Sequence, residues 1–152
     1  MIIRDFVEED AQAILELYFL AVHELNKEFY SEEQLAAWTE NRSVEGTIKA
    51  AKECDDYLVA EKDGEVLGFG CRRNDKLQAL YVHPSAARQG VGSALLEELL
   101  GRIREEGFLC VRAESSLGAQ AFYERRGFRA IKQSTVSVSS IDIPCVIIQK
   151  LL

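Results

Sequence analysis

No C-x-x-C pair occurs in this sequence, and neither of its two histidines stands beside a cysteine at metal-ligand spacing, which removes the usual structural-zinc patterns. The four cysteines, Cys54, Cys71, Cys110 and Cys145, are widely separated. Cys71, Cys110 and Cys145 fall in apolar, strand-like runs, so buried thiols of a cytosolic chain are expected. No apolar run approaches the length of a membrane span, and the opening MIIRDFVEED lacks the basic-then-apolar order of a secretory signal. The expected setting is cytoplasmic, with no membrane partner. A basic excess is missing too: Lys and Arg number 18 against 25 Asp and Glu, a net charge of -7. No basic cluster is longer than the Arg125-Arg126 pair. Nucleic acid is therefore not expected as a partner, because a phosphate backbone needs a concentrated basic face. The balance suits a cationic or amine-bearing substrate. Repeats, low-complexity tracts and an inter-domain linker are absent as well.

What is present is a chain of 152 residues, 47% of them hydrophobic. That supports one substantial core and leaves no room for a second, so residues 1–152 read as one domain with one site. Residues 1–6 are strand-like through Ile2 and Ile3. Over residues 11–26, Ile14, Leu15, Tyr18, Val22 and Leu25 recur at helical spacing, behind an acidic head that suits the positive end of a helix dipole. Ser31 with Gln34 forms a capping-box pattern that opens a helix carrying Leu35, Ala36 and Trp38. A further helical piece is expected over 47–52, with 41–46 outside it. Residues 56–62 and 65–73 are strands joined by Asp63-Gly64, a dipeptide that favours a hairpin turn with positive φ at both positions. Asn74, Asp75 and Lys76 then turn the chain into a third strand over 77–82. A long helix follows, with Val91, Leu95, Leu96, Leu99, Leu100 and Ile103 on one face and Gly107 as its cap. Residues 108–113 form a strand parallel to 77–82, since a helix crosses between them. A short helix over 118–126 and strands over 128–138 and 143–151 complete the chain, the last reading as an inner strand by its nearly continuous apolar run. The sum is an α/β fold with one mixed, mostly antiparallel sheet of six to seven strands and helices on both faces.

The chain is organised around residues 77–108, LQALYVHPSAARQGVGSALLEELLGRIREEGF. Here a strand leaves through His83-Pro84 into a loop with Gly90 and Gly92 and then a helix. The first helical turn has backbone N–H groups without intrahelical acceptors, and the macrodipole adds positive charge at the same place. Glycines let an anion approach that backbone. The ligand this predicts is the pyrophosphate of a cofactor. His83, ahead of Pro84, shapes the loop.

Strand, H-P, G-x-G and apolar helix, followed by A-x-x-F-Y-E-R-x-G-F at residues 119–128, together resemble the GCN5-related N-acetyltransferases, the GNAT superfamily. The resemblance is strong over residues 75–130 and compatible with Ile3, Arg4, Asp10 and Ala11 nearer the start. It implies an acetyl-CoA-dependent N-acetyltransferase whose central parallel strands splay to hold CoA. In such a fold pantetheine lies against the backbone of Leu80, Tyr81 and Val82 like an added strand, and pyrophosphate lies on the amides of Arg88, Gln89, Gly90, Val91, Gly92 and Ser93. Gly90 and Gly92 match the family's small positions. Ala87 stands where the family has Gln or Arg, and Arg88 beside it reads either as a phosphate contact or as a solvated loop arginine. Ser116, Ala119 and Phe122 surround the second motif and are assigned to the cofactor. Tyr123 matches the family's tyrosine that protonates the departing thiolate of CoA; spacing alone makes it a packing residue. Tyr81 reads equally as a core or a pocket aromatic.

A base for the acceptor ammonium has no carboxylate to use on strand 77–82. Glu114, at the end of the parallel strand, is assigned that role, with Asp75, His23 or water as alternatives. His23 lies with Tyr30 and Trp38 on segments that border the acceptor cleft in this fold, yet by itself it reads as a helix-surface histidine. The implied reaction moves acetyl to a primary amine, on a small molecule or a peptide, by direct attack in a ternary complex without a metal. A longer acyl group or a protein amine would keep the same fold. A CoA-binding sensor without catalysis is the reading that Ala87 and the missing strand carboxylate suit. Acceptor choice is expected to reside in residues 24–41 and 134–143, which carry no readable motif. The chain reads as a monomer or a homodimer, the apolar terminal strand offering a route to the latter.

Overall fold

Seven strands, β1 (Ile2–Asp5), β2 (Asp56–Lys62), β3 (Glu65–Arg73), β4 (Lys76–Val82), β5 (Cys110–Ser115), β6 (Arg129–Val138) and β7 (Ile141–Leu151), form one open sheet in the order β1-β2-β3-β4-β5-β7-β6. The computed structural model describes residues 1–152. Five helices accompany the strands: α1 (Ala11–Asn26), α2 (Glu32–Thr39), α3 (Val44–Glu53), α4 (Val91–Glu105) and α5 (Gln120–Glu124). Every neighbouring pair of strands is antiparallel except β4 and β5, which α4 joins. The α/β sheet with mostly antiparallel strands, expected from the sequence, is the fold observed.

The two faces are covered by different helices. Successive side chains of a strand point to opposite faces, and β2 shows it: Leu58 and Ala60 pack with Leu95, Leu96 and Leu99 of α4, while Val59 packs with Ile14, Leu17 and Ala21 of α1. The six buried apolar residues of α4, Val91 to Ile103 on one stripe, each contribute about 1.5–3 kcal/mol of burial. Gly70 of β3 lets α4 approach, since a Cβ there would lie 2.9 Å from Leu99 Cδ1.

Local signals act where they were read. Asp63 and Gly64 have φ values of 51° and 81°, and Ser31 with Gln34 makes the reciprocal cap of α2. Bounds of β5, α5 and β7 move by two residues, and the start of α3 moves furthest. α3 begins at Val44 rather than 47, because the Ser43 hydroxyl accepts from the Gly46 amide at 3.0 Å and caps a turn whose glycine argues locally against helix. The apolar β7 is an inner strand, between β5 and β6, with both its edges taken over residues 146–149; the sheet's outer edges belong to β1 and β6. No helix is long and apolar enough to cross a membrane.

One ionic network ties α4 to the sheet. Arg72, only 3% exposed, donates to Asp56 Oδ2 at 2.7 Å and, through both terminal nitrogens, to Glu106 at 2.8 and 2.9 Å. Arg102 reaches the other Asp56 oxygen at 2.7 Å. Removing the shared cation leaves the partly buried Asp56 with Arg102 alone and Glu106 with no cation. Arg72→Ala should therefore cost about 3 kcal/mol of stability in urea unfolding, and a loss under about 1 kcal/mol would show that the network is not structural.

Candidate active site

β4 and β5 stay together only at Lys76↔Arg112 and Leu77↔Ala113. At the next residue the register of β4 on β3 slips. Cys71 faces Ala79 and Arg72 faces Leu77, which leaves Gln78 unmatched. A bulge bends its strand and raises the local twist, and this one sits where β4 parts from β5. From Gln78 to Val82 the β5-facing edge of β4 has no strand partner, so its backbone groups are open to a ligand.

A cavity of about 410 Å³ occupies the gap. Leu80, Tyr81 and Val82 line one wall, Ala119, Phe122 and Tyr123 another, and Arg88, Gly90, Val91, Gly92 and Ser93 close the end. At that end none of the backbone amides of residues 88–93 donates to a group in the chain, and the first bonded amide is that of Ala94, to the Gly90 carbonyl at 3.0 Å. Gly90 caps α4 with φ 82° and no side-chain cap, and Arg88 is left-handed too, at φ 62°. Alternating handedness of this sort folds consecutive N–H groups into an anion-binding concavity, and the α4 dipole points its positive end into it. At Gly92 a Cβ would stand 3.2 Å from Phe122 Cε1. Its small size therefore also serves the contact between α4 and α5.

Arg126 escaped the sequence reading. Its guanidinium donates to Ser93 Oγ from Nε and Nη2, at 3.0 and 2.6 Å, and to the Phe122 carbonyl at 2.9 Å. It lies 3.8 Å over the Phe122 ring and lines the cavity without a carboxylate partner. A fixed cation thus stands beside the unbonded amides, where Ala87 supplies no side-chain donor. Only the helical spacing from Phe122 to Arg126 could have signalled it.

Tyr123 is 7% exposed, edge-on to Phe122 at 5.3 Å and to Phe128 at 5.2 Å. Its hydroxyl makes no hydrogen bond within the chain and keeps accessible surface on the cavity. Burial pushes its phenol well above the ordinary range, so the proton stays on the oxygen. Tyr81 lines this cavity and the next, edge-on to Tyr18 at 5.0 Å, and burial raises its phenol likewise. It is the partition between the two spaces.

The second cavity, about 270 Å³, holds Glu114, Ser116, Tyr30 and Trp38. Glu114 lies 3.3 Å from Lys76 Nζ, both about half-exposed. Ser116 was expected beside the cofactor but lines this second cavity, because its hydroxyl turns to accept from the Ala119 amide at 3.1 Å. Gln89 was expected there too. Its side chain is off the cavity wall, Nε2 donating to the Ser85 carbonyl at 3.4 Å, so only its amide faces the loop. Asp75 and His23 are not brought to either cavity: the Asp75 carbonyl accepts from the Arg112 amide at 2.9 Å, and His23 stacks on Phe19 with Nε2 3.2 Å from Thr39 Oγ1. His83 shapes the loop, its Nδ1 accepting from the Ser85 amide at 3.1 Å.

The walls are pinned by polar groups. The fully buried Asn26 accepts from the Gly118 amide at 3.0 Å, and the Tyr30 hydroxyl accepts from the Leu117 amide at 3.0 Å while donating to the Pro144 carbonyl. The end of α1 thereby positions the loop that carries α5 and Tyr123. A third space of about 350 Å³ meets the second at Tyr18, Arg42, Gln78 and Ala79. Cys54 and Cys71 both line it, each thiol close enough to act on the other. That interaction lowers the Cys54 thiol below its ordinary value and, together with burial, raises Cys71. No group of three or more His, Cys, Asp or Glu side chains could hold a metal ion.

A sheet splayed at its one parallel pair, with free amides at a helix start beside the gap, is the frame of a CoA-dependent N-acyltransferase. The chain belongs to the GNAT acetyltransferase family: residues 26–144 match its acetyltransferase (GNAT) domain. It is 33% identical over 134 residues to the uncharacterized N-acetyltransferase YafP of Escherichia coli (strain K12), covering 88% of this chain and 85% of that one. To the uncharacterized N-acetyltransferase MJ1207 of Methanocaldococcus jannaschii it is 26% identical over an alignment of 140 positions, with 83% of this chain and 59% of that longer one covered. Among solved structures, a GCN5-related N-acetyltransferase from Rhodopseudomonas palustris superposes with a TM-score of 0.95 at 26% identity, over 99% of this chain and 95% of the other. The PaiA N-acetyltransferase of Thermoplasma acidophilum, solved with coenzyme A, shares the fold at a TM-score of 0.81 and 22% identity, over 99% and 98% of the two chains.

Proposed function

We propose that residues 1–152 act as one catalytic unit that transfers acetyl from acetyl-CoA to a primary amine by direct attack. The observation that carries this reading is the run of six unbonded amides at residues 88–93, beyond Val82 at the splayed end of the gap between β4 and β5. Those amides and Arg126 suit a pyrophosphate, and the open edge of Leu80, Tyr81 and Val82 suits the amides of a pantetheine arm. Bound acetyl-CoA supplies an acetyl thioester, reactive toward an uncharged amine. The chain supplies the proton chemistry. Glu114, held by Lys76, takes a proton from the acceptor ammonium, directly or through water; Tyr123 gives one to the departing sulfur and is restored by the second proton that the nitrogen sheds as the amide forms. Tyr81 borders both spaces, so the amine meets the thioester beside its ring.

The test is release of free thiol from acetyl-CoA over a panel of amines, with the acetylated product identified by mass spectrometry. Thiol release that requires an amine and matches product formation supports the reading. Binding of acetyl-CoA with no turnover on any amine would make the chain a CoA sensor.

A further inference from the structure

Three arginines of this chain, Arg4, Arg72 and Arg102, are each held by two or more carboxylates. Arg42 has none. Its guanidinium lies 4.9 Å from the centroid of the Tyr18 ring, at the place where the second and third cavities meet. Its positive charge is felt at the hydroxyls of Tyr18, Tyr57 and Tyr81, three aromatics that line the same trough. Ser43, Gly46 and Thr47, the cap and first turn of α3, line it as well, so the positive end of a ten-residue helix faces the same space.

The charge balance of the trough is opposite to that of the chain. Arg42, Arg73 and Lys76 line it against Glu53 and Glu114, and Lys76 is engaged with Glu114. Eight of the eleven arginines have no carboxylate within ion-pair distance, and Arg42 is the one of them that lines both cavities where they meet, available for an anion brought by the ligand. Its planar fork matches a carboxylate or phosphonate. Tyr18, under Arg42, is edge-on to Tyr81 at 5.0 Å, and Tyr81 borders the cofactor cavity. The guanidinium therefore stands one aromatic ring away from the partition across which acetyl would pass.

Resting on the acetyl-transfer reading, we propose that the acceptor is a small primary amine that also carries an oxyanion, with Arg42 holding the anion while the amine reaches toward Tyr81 and Glu114. The local field at Arg42 and Arg73, rather than the net negative charge, sets this choice. A polyamine, which brings cations only, is disfavoured.

The experiment compares matched amines: free amino acids with their primary amides, an aminoalkylphosphonate with the corresponding alkylamine, and spermidine as a cation without an anion. Values of kcat/KM are referred to the uncharged amine, since removing the anion also changes amine basicity. The anionic member of each pair should be favoured by about tenfold to a hundredfold, the scale of one charge-assisted contact. Arg42→Gln should bring that ratio toward one and Arg42→Lys should keep part of it, while calorimetric titration with acetyl-CoA reports that each variant is folded. Equal or better use of the neutral amines or spermidine by the wild-type chain overturns this inference and leaves acetyl transfer standing. A preference for the anion that survives Arg42→Gln overturns the role of Arg42. If no amine at all is acetylated, the transfer reading falls and the inference falls with it.

Discussion

Gly92→Glu is expected to weaken binding of CoA and acetyl-CoA on the order of a hundredfold or more. The residue lies in the first turn of α4, on the cavity wall and within the run of unbonded amides. A carboxylate there places negative charge against the ligand's phosphates, an interaction of about 4 kcal/mol at 4 Å and an effective dielectric near 20. It also occupies the positive end of the helix dipole that the phosphates need. Sterics contribute separately, because any Cβ at Gly92 comes within 3.2 Å of the Phe122 ring. Gly92→Ala isolates that part: a small shift of the ring should accommodate the methyl, with much weaker loss of affinity. Calorimetry on both variants, with thermal unfolding to show that they fold, separates charge from packing. A folded Gly92→Glu chain with wild-type affinity would put the phosphates elsewhere.

The other large effect concerns Tyr123. Its ring is fixed by Phe122 and Phe128, and its hydroxyl is free of any bond within the chain, so Tyr123→Phe removes a proton donor without disturbing the packing. A fall in kcat on the order of ten- to a thousandfold is expected, with little change in acetyl-CoA affinity. The loss should shrink for an acyl donor whose thiol is more acidic, since a better leaving group needs less help. The pH profile has a definite sign. Burial raises the Tyr123 phenol above the ordinary tyrosine value, so the donor stays protonated, and kcat should show no fall due to it below about pH 10. Wild-type turnover by Tyr123→Phe, with chemistry shown to limit the rate, would leave Tyr123 a packing residue and pass the role to Tyr81 or water.

The parts of this molecule that could be read in advance are those with local causes. Asp63-Gly64 needs positive φ at both positions, Ser31 and Gln34 cap each other within one turn, and the apolar stripe of α4 repeats at helical spacing; each is complete within a few residues. The loop with Gly90 and Gly92 was legible for the same reason. Other features are made by contacts between distant segments. The bulge at Gln78 exists only against β3, and nothing in LQALYV marks it. Arg42 stands outside any motif, between α2 and α3, and its meaning comes from its place over the Tyr18 ring. Arg126 reads in sequence as half of a basic pair, while in space it is bonded to Ser93, 33 residues away in the chain. Ser116 was assigned by its position near the second motif, but the Ala119 amide decides where its hydroxyl points.

The central claim is that acetyl passes straight from acetyl-CoA to an amine. The chain itself offers a rival, since Cys145 lines the cavity proposed for the acceptor and a thiol there could carry the acetyl group. The direct measurement is the intact mass of the chain after mixing with acetyl-CoA, first without and then with an accepted amine, together with the free thiol released in each case. Direct transfer predicts an unmodified chain and no thiol release until the amine is added, and then thiol and acetylated amine in equal amounts. An acetylated chain formed in the absence of amine, with the label on Cys145 and passed to the amine on its addition, would contradict the account.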